Sequence, residues 1–278
     1  MKAVNNSGEV LMSAHKITKR FGGLAAVNEV SVDLWRGRIH AVIGPNGAGK
    51  STLTNLLAAD LPFTSGQVTL LGHDITGWTP EKISRQGLGR SYQKTNIFLP
   101  FTVWENVRLA AQSRDLQQPW NPLRWLHSTA SSATHSIATH ERAERAIALS
   151  GLENRKTALA GTISHGEQRQ LEIAMMLATE PQVLLLDEPL AGMGVAEAER
   201  MVELLLKLKP SHAMLLVEHD MDAVFTLADR LTVMVNGQVI ASGTPTEVRA
   251  NAQVQAAYLG EETETTGTAK VTKEVAHT

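Results

Sequence analysis

Gly44-Pro45-Asn46-Gly47-Ala48-Gly49-Lys50-Ser51-Thr52 sets a glycine, four residues and then Gly-Lys-Ser between an apolar run ending at Ile43 and an apolar stretch of helical length, Leu53 to Ala59. Glycines let such a loop turn its backbone N–H groups inward, and the helix that follows adds its positive end, so the loop can wrap a β-phosphate. Lys50 would reach the β- and γ-phosphates, and the Ser51 hydroxyl would ligate Mg²⁺. The plain alternative is a glycine-rich turn with an exposed lysine, and the strand, loop, helix order argues against it. A nucleotide is implied, but not its use, because kinases, GTPases, helicases and transport ATPases share this loop.

The second half of such a site is readable in Val183 to Glu188, VLLLDE, an apolar run that ends in two carboxylates. A parallel sheet places its ligand residues at strand ends. Asp187 would hold Mg²⁺, directly or through water, and Glu188 would orient and activate a water for attack on the γ-phosphate. A solvated acidic turn before Pro189 is the rival reading.

These residues must be carried by a scaffold, and its elements can be sketched. Val27 to Ile43 alternates apolar and polar positions around Arg36-Gly37, which predicts two strands of a half-exposed antiparallel unit; Val68 to Leu71 predicts a third strand. Val183 to Leu186 and Met214 to Val217 are short continuous apolar runs, as expected of parallel strands buried on both faces. Asn236-Gly237 between Leu231–Val235 and Gln238–Ala241 predicts a hairpin with a type I′ turn. From about Thr102 to Ala178 the pattern is largely helical, with Ser128 to Thr139 (STASSATHSIAT) expected as a loop or a poorly packed insertion. Met175 and Met176 are expected in the core. Glu261 to Thr278, rich in Thr, Glu and Lys, reads as a disordered tail.

Composition removes several classes. The chain has 278 residues, 43% of them hydrophobic, enough for a sizeable core. Lys and Arg number 26 against 28 Asp and Glu, a net charge of -2, which gives no electrostatic footprint for nucleic acid. With 0 cysteines there is no disulfide framework, zinc ribbon, iron–sulfur cluster or thiol nucleophile. Met1 to Phe21 lacks the apolar stretch of a secretory signal and no run of apolar residues is long enough to span a bilayer, so a cytosolic chain is expected.

Ile163-Ser164-His165-Gly166-Glu167 contains a capping box, Ser164 with Glu167, that opens a helix. Here the chain resembles the ATP-binding cassette family, whose signature begins Leu-Ser-Gly-Gly-Gln just before the acidic strand; His165 stands where the commonest pattern has glycine. The resemblance covers roughly Val10 to Gly260. It implies a P-loop NTPase (RecA-like) α/β core with an antiparallel β subdomain and a helical subdomain at about 94–178, in a single domain over 1–260. It implies that Ser164 and Gly166 hold the γ-phosphate of a nucleotide bound by a partner subunit. Gln93 falls at the family's glutamine loop, implying contact with Mg²⁺ or the lytic water and coupling to a membrane partner. His219 in Val217-Glu218-His219-Asp220 falls at the switch histidine, implying a hydrogen bond to the γ-phosphate. Phe21 lies where an aromatic residue stacks on adenine, with a core phenylalanine as the alternative.

Leu190-Ala191-Gly192-Met193-Gly194 departs from the general pattern by lacking an aspartate. Together with Arg20 to Leu24, Thr95 to Phe98, Glu172 to Ala174 and Tyr258-Leu259-Gly260, it looks like the importers of branched-chain amino acids and related polar solutes, as the longer of their two ATPase chains; urea and short-chain amide importers are similar in pattern. The resemblance implies ATP and Mg²⁺, integral-membrane permease subunits and a second ATPase chain as homodimer or heterodimer. It also implies, indirectly, an extracytoplasmic solute-binding protein, and a peripheral place on the cytoplasmic face of the inner membrane. Trp104, Trp120 and Trp125 would either dock a membrane subunit or pack inside the helical subdomain. Two rivals stand beside this reading. A cassette acting on DNA or ribosomes would need a long inserted coiled coil or a second cassette, and a small-molecule kinase would need an acceptor site and no signature helix.

Overall fold

The computed structural model describes residues 8–92, 96–114 and 128–256. Two sheets organise them. In the first, β1 (Val10–Phe21), β2 (Leu24–Trp35), β4 (Ser65–Leu70) and β5 (His73–Asp74) are antiparallel in the order β2-β1-β4-β5. In the second the order is β10-β9-β3-β8-β7-β6, built from β3 (Arg38–Ile43), β6 (Leu88–Arg90), β7 (Val183–Asp187), β8 (Ala213–Val217), β9 (Arg230–Val235) and β10 (Gln238–Gly243). All its pairs are parallel except β9 with β10.

The helices are α1 (Lys50–Leu57), α2 (Pro80–Gln86), α3 (Val103–Gln112), α4 (Ser128–Ser150), α5 (His165–Leu177), α6 (Val195–Leu208), α7 (Met221–Leu227) and α8 (Pro245–Arg249). Alternation along β7 and β8 divides the core. Val183, Leu185, Ala213, Leu215 and Val217 face α1 and the antiparallel sheet, whereas Leu184, Leu186, Met214 and Leu216 face a cluster shared with α3 to α7. Every residue of both strands is buried, which is why their sequence reads as continuous apolar runs. Met176 lies in the second cluster and Met175 packs against it, as expected.

Two expectations need correction. β2 and β3 do not pair, because Arg36-Gly37 passes the chain from one sheet to the other. Arg36 N donates to Glu9 O at 2.9 Å and Gly37 N to His212 O at 2.9 Å, so each side of the turn is claimed by a different layer. Ser128 to Thr139 is not a loop but the first half of α4. Its weak pattern hid the helix, which continues from a packed half where Ala143, Ala146 and Ile147 are buried, since extending a formed helix is easier than starting one. The Asn236-Gly237 hairpin forms as expected, with φ of 48° and 76° at its two turn residues. Trp104 packs edge-on against His140 with ring centroids 4.6 Å apart, inside the helical layer, whereas Trp120, Trp125 and residues 257–278 lie outside the described residues.

Candidate active site

β3, β8 and β7 are consecutive in the parallel sheet, and the glycine loop, His219 and the Asp187-Glu188 pair all follow from their C-terminal ends. Side-chain alternation and strand order therefore gather segments far apart in sequence. The loop and the start of α1 line a cleft of about 470 Å³ that also takes in Glu188, Asn236-Gly237 and Leu24 to Ala26. Asn46, Gly47, Ala48, Gly49, Lys50, Ser51 and Thr52 border it; Gly44 and Pro45 lie behind, their carbonyls accepting from Lys50 Nζ at 2.6 and 3.0 Å. Gly49 caps α1 at φ 100°, and a Cβ there would lie 2.3 Å from the Ala26 carbonyl oxygen, so this position needs glycine twice over. The hairpin turn braces the loop: Gly237 N donates to Ala48 O at 3.0 Å.

Asp187 ends β7 and is buried; its Oδ1 is solvent-shielded and has no hydrogen-bond partner. Burial pushes its carboxyl above the usual range, the neighbouring Glu188 charge pushes the same way, and Arg90 and Lys50 pull it back. Glu188 is in left-handed backbone, φ 50°, with its N–H tied to Val217 O at 2.9 Å. For a non-glycine residue this is a sparsely populated conformation, and here it turns the side chain off the strand line into the cleft. His219 Nδ1 lies 3.8 Å from Glu188 Oε1, with the imidazole largely exposed.

Glu218, which sequence reasoning passed over, is 1% exposed. Its carboxylate accepts from Leu190 N at 2.9 Å and His219 N at 3.1 Å, joining the segment after β7 to the one after β8. Burial raises its pKa and these backbone N–H groups oppose the shift. An acidic residue directly at the end of an all-apolar strand was the available signal.

Phe21 is 51% exposed at the β1–β2 turn, which excludes the core alternative, and Lys19 Nζ sits 5.1 Å from its ring centroid. Phe21 itself does not line the cleft, though Leu24, its cross-strand neighbour, does. Gln93 lies outside the described residues. Ser164 caps α5 in a full capping box with Glu167, and Gly166 is buried in the first turn. Neither borders the cleft around Lys50; their nearest partners are Glu167 and Glu197.

A family model described as ABC transporter matches residues 27–191, more than half of the chain. The chain belongs to the ABC transporter family. It is an ATP-binding and ATP-hydrolysing cassette of that family, with the family's α/β P-loop fold. A second model, described as branched-chain amino acid ATP-binding cassette transporter, matches residues 238–264. Among curated relatives, the high-affinity branched-chain amino acid transport ATP-binding protein LivG of Salmonella typhimurium is 38% identical over 253 residues, covering 90% of this chain and 98% of its own. BraF of Pseudomonas aeruginosa, a protein of the same description, shows the same figures, and a probable LivG of Archaeoglobus fulgidus is 32% identical over 90% of this ABC chain and 95% of its own. A solved nucleotide-free ATP-binding cassette from an ABC transporter superposes with a TM-score of 0.76 at 28% identity, covering 90% of this chain and 99% of that one.

Proposed function

We propose that this ABC ATPase drives import of branched-chain amino acids through integral-membrane permease subunits, and that it acts as one of two ATPase chains. The observation carrying this reading is the end-to-end likeness to LivG and BraF, reinforced by the separate match over residues 238–264. Urea or short-chain amides are the second reading for the solute, resting on the sequence pattern alone. Among the described residues no helix is long and apolar enough to cross a membrane, which suits a peripheral subunit on the cytoplasmic face of the inner membrane.

Magnesium fits the donors present. It takes hard oxygen ligands, and the chain offers the Ser51 hydroxyl at the cleft and, at the end of β7, Asp187, whose buried Oδ1 has no hydrogen-bond partner. Ser51, Asp187 and Gln93 would hold it, and it would supply neutralisation of the phosphate charge. The backbone from Gly44 to Thr52 cradles the phosphates, with Lys50 exchanging its present loop carbonyls for phosphate oxygens. Glu188 positions and deprotonates the attacking water, His219 donates to the γ-phosphate, and Phe21, exposed outside the cleft opposite its cross-strand neighbour Leu24, stacks on an adenine that reaches past the cleft edge. Ser164 and Gly166, away from their own cleft, serve the nucleotide of the neighbouring chain.

The test is co-expression with candidate permease subunits and the second ATPase chain, followed by reconstitution into vesicles with a solute-binding protein. ATP hydrolysis stimulated by leucine-loaded binding protein and not by urea is the expected result. Stimulation by urea alone selects the second reading, and failure to co-purify with any permease removes the transport assignment.

A further inference from the structure

Glu197, in the first turn of α6, places its carboxylate against the start of α5. Ser164 Oγ donates to Glu197 Oε1 at 2.7 Å, and Gly194 N donates to Oε2 at 3.3 Å. The Ser164 hydroxyl also accepts from Glu167 N at 3.2 Å, so its one proton is committed to Glu197. The carboxylate lies over the gap that Gly166 leaves, because a Cβ there would stand 2.6 Å from Glu197 Cδ and 2.7 Å from Oε1.

The helix does not need this second acid as a cap. Glu167 already closes the capping box, accepting from Ser164 N at 2.9 Å, and is itself paired with Arg155 at 2.7 Å. Glu197 is therefore an additional anion on a helix end that favours negative charge, held by the same hydroxyl and the same glycine face assigned above to an incoming phosphate.

We infer that Glu197 is an intramolecular occupant of the phosphate position at the start of α5, and that it must leave before a neighbouring chain's nucleotide can dock there. The inference rests on the assignment of Ser164 and Gly166 to the neighbour's nucleotide. The contact is autoinhibitory. A phosphate and a carboxylate cannot share one serine proton, and like charges at this spacing repel. Arg200, one turn further along α6, acts electrostatically on both Glu197 and Glu167 and offers the displaced carboxylate a partner. The closed pair of chains is thereby disfavoured until the nucleotide competes successfully.

The experiment measures assembly of the full chain, alone and with the second ATPase chain, by sedimentation velocity with Mg²⁺ and a non-hydrolysable ATP analogue. Glu197→Gln keeps an oxygen for Gly194 N while removing the charge, and Glu197→Ala removes both. Both are expected to assemble about twofold to fivefold more tightly than the parent, the scale of one helix-end charge contact. Adding Ser164→Ala to Glu197→Gln is expected to abolish that gain. Thermal unfolding of Glu197→Gln checks that the fold is retained. Equal or weaker assembly by Glu197→Gln, with the parent assembling, overturns the autoinhibitory contact and leaves the assignment of Ser164 and Gly166 standing. If no chain assembles in any combination while all bind the analogue, that assignment falls and the inference falls with it.

Discussion

Glu188 Oε1 and His219 Nδ1 stand 3.8 Å apart although the residues leave different, adjacent strands of the parallel sheet. A group bound between the loop and this pair meets a carboxylate and an imidazole together, so binding and chemistry can be separated by substitution.

Glu188→Gln retains shape and a hydrogen-bonding oxygen but removes the base. Hydrolysis is expected to fall by about 10²-fold or more while ATP affinity changes little. Lys50→Ala is expected to weaken nucleotide binding itself. Steady-state ATPase rates beside a binding titration check both, and a Glu188→Gln protein with the parental rate would contradict the assignment of the base.

Gly49→Ala is expected to impair the cleft through backbone geometry alone. At φ 100° and with the Ala26 carbonyl 2.3 Å from the new Cβ, the loop must shift. A stability loss of about 1–3 kcal/mol and at least a tenfold weaker nucleotide affinity are expected, measured by urea titration and by binding. Unchanged values for both would show that the loop relaxes without cost.

Glu218→Ala leaves two backbone N–H groups, of Leu190 and His219, without their present partner in a buried place. A loss of about 1–3 kcal/mol is expected from that desolvation. Because both groups belong to site loops, kcat should fall more than KM changes, whereas a purely structural loss would lower the active fraction and leave the rate per folded molecule intact.

Buried His40 supplies a pH-dependent contribution. Its Nδ1 faces the Asp33 carbonyl oxygen at 3.1 Å, which only accepts, so Nδ1 carries the proton and Nε2 accepts from Thr232 Oγ1 at 2.8 Å. Burial first, and then the Arg230 charge, lower its pKa from 6.5 to about 4, against opposing pulls from the Asp33 carbonyl and carboxylate. The unfolded chain therefore binds the proton first. This contribution is intact above about pH 6.5 and is lost as the pH falls towards 4, reaching about 3 kcal/mol. His40→Gln is expected to show a flatter decline of unfolding free energy over that window, followed by urea denaturation; parallel curves would refute the contribution.

How far the sequence exposes the site depends on how local each requirement is. The glycine loop is readable because its phosphate-binding geometry constrains consecutive residues, and β7 and β8 because burial on both faces leaves no polar position before Asp187 at the end of β7. The pairing of β2 was misread because alternation is the same in either sheet, and only distant partners, Glu9 and His212, decide which one a strand joins. The start of α4 was missed because Ser and Thr report weak propensity, not tertiary support. Glu197 signalled itself faintly, three residues after Gly194 at a helix start, but its contact with Ser164 is a matter of packing between α5 and α6.

β8 lies between β3 and β7, yet it is synthesised after both. A nascent chain that has emerged only through Glu188 possesses the glycine loop and the acid pair with no strand to join them, and its exposed edges invite wrong partners. The order of the sheet thus imposes a delay on maturation, because non-local pairing must wait for the chain that completes it. A ribosome pause while β8 (Ala213–Val217) is still enclosed would prolong the stage at which this chain is open to aggregation, and one after β8 has emerged would come when the central strand is already available to close the sheet.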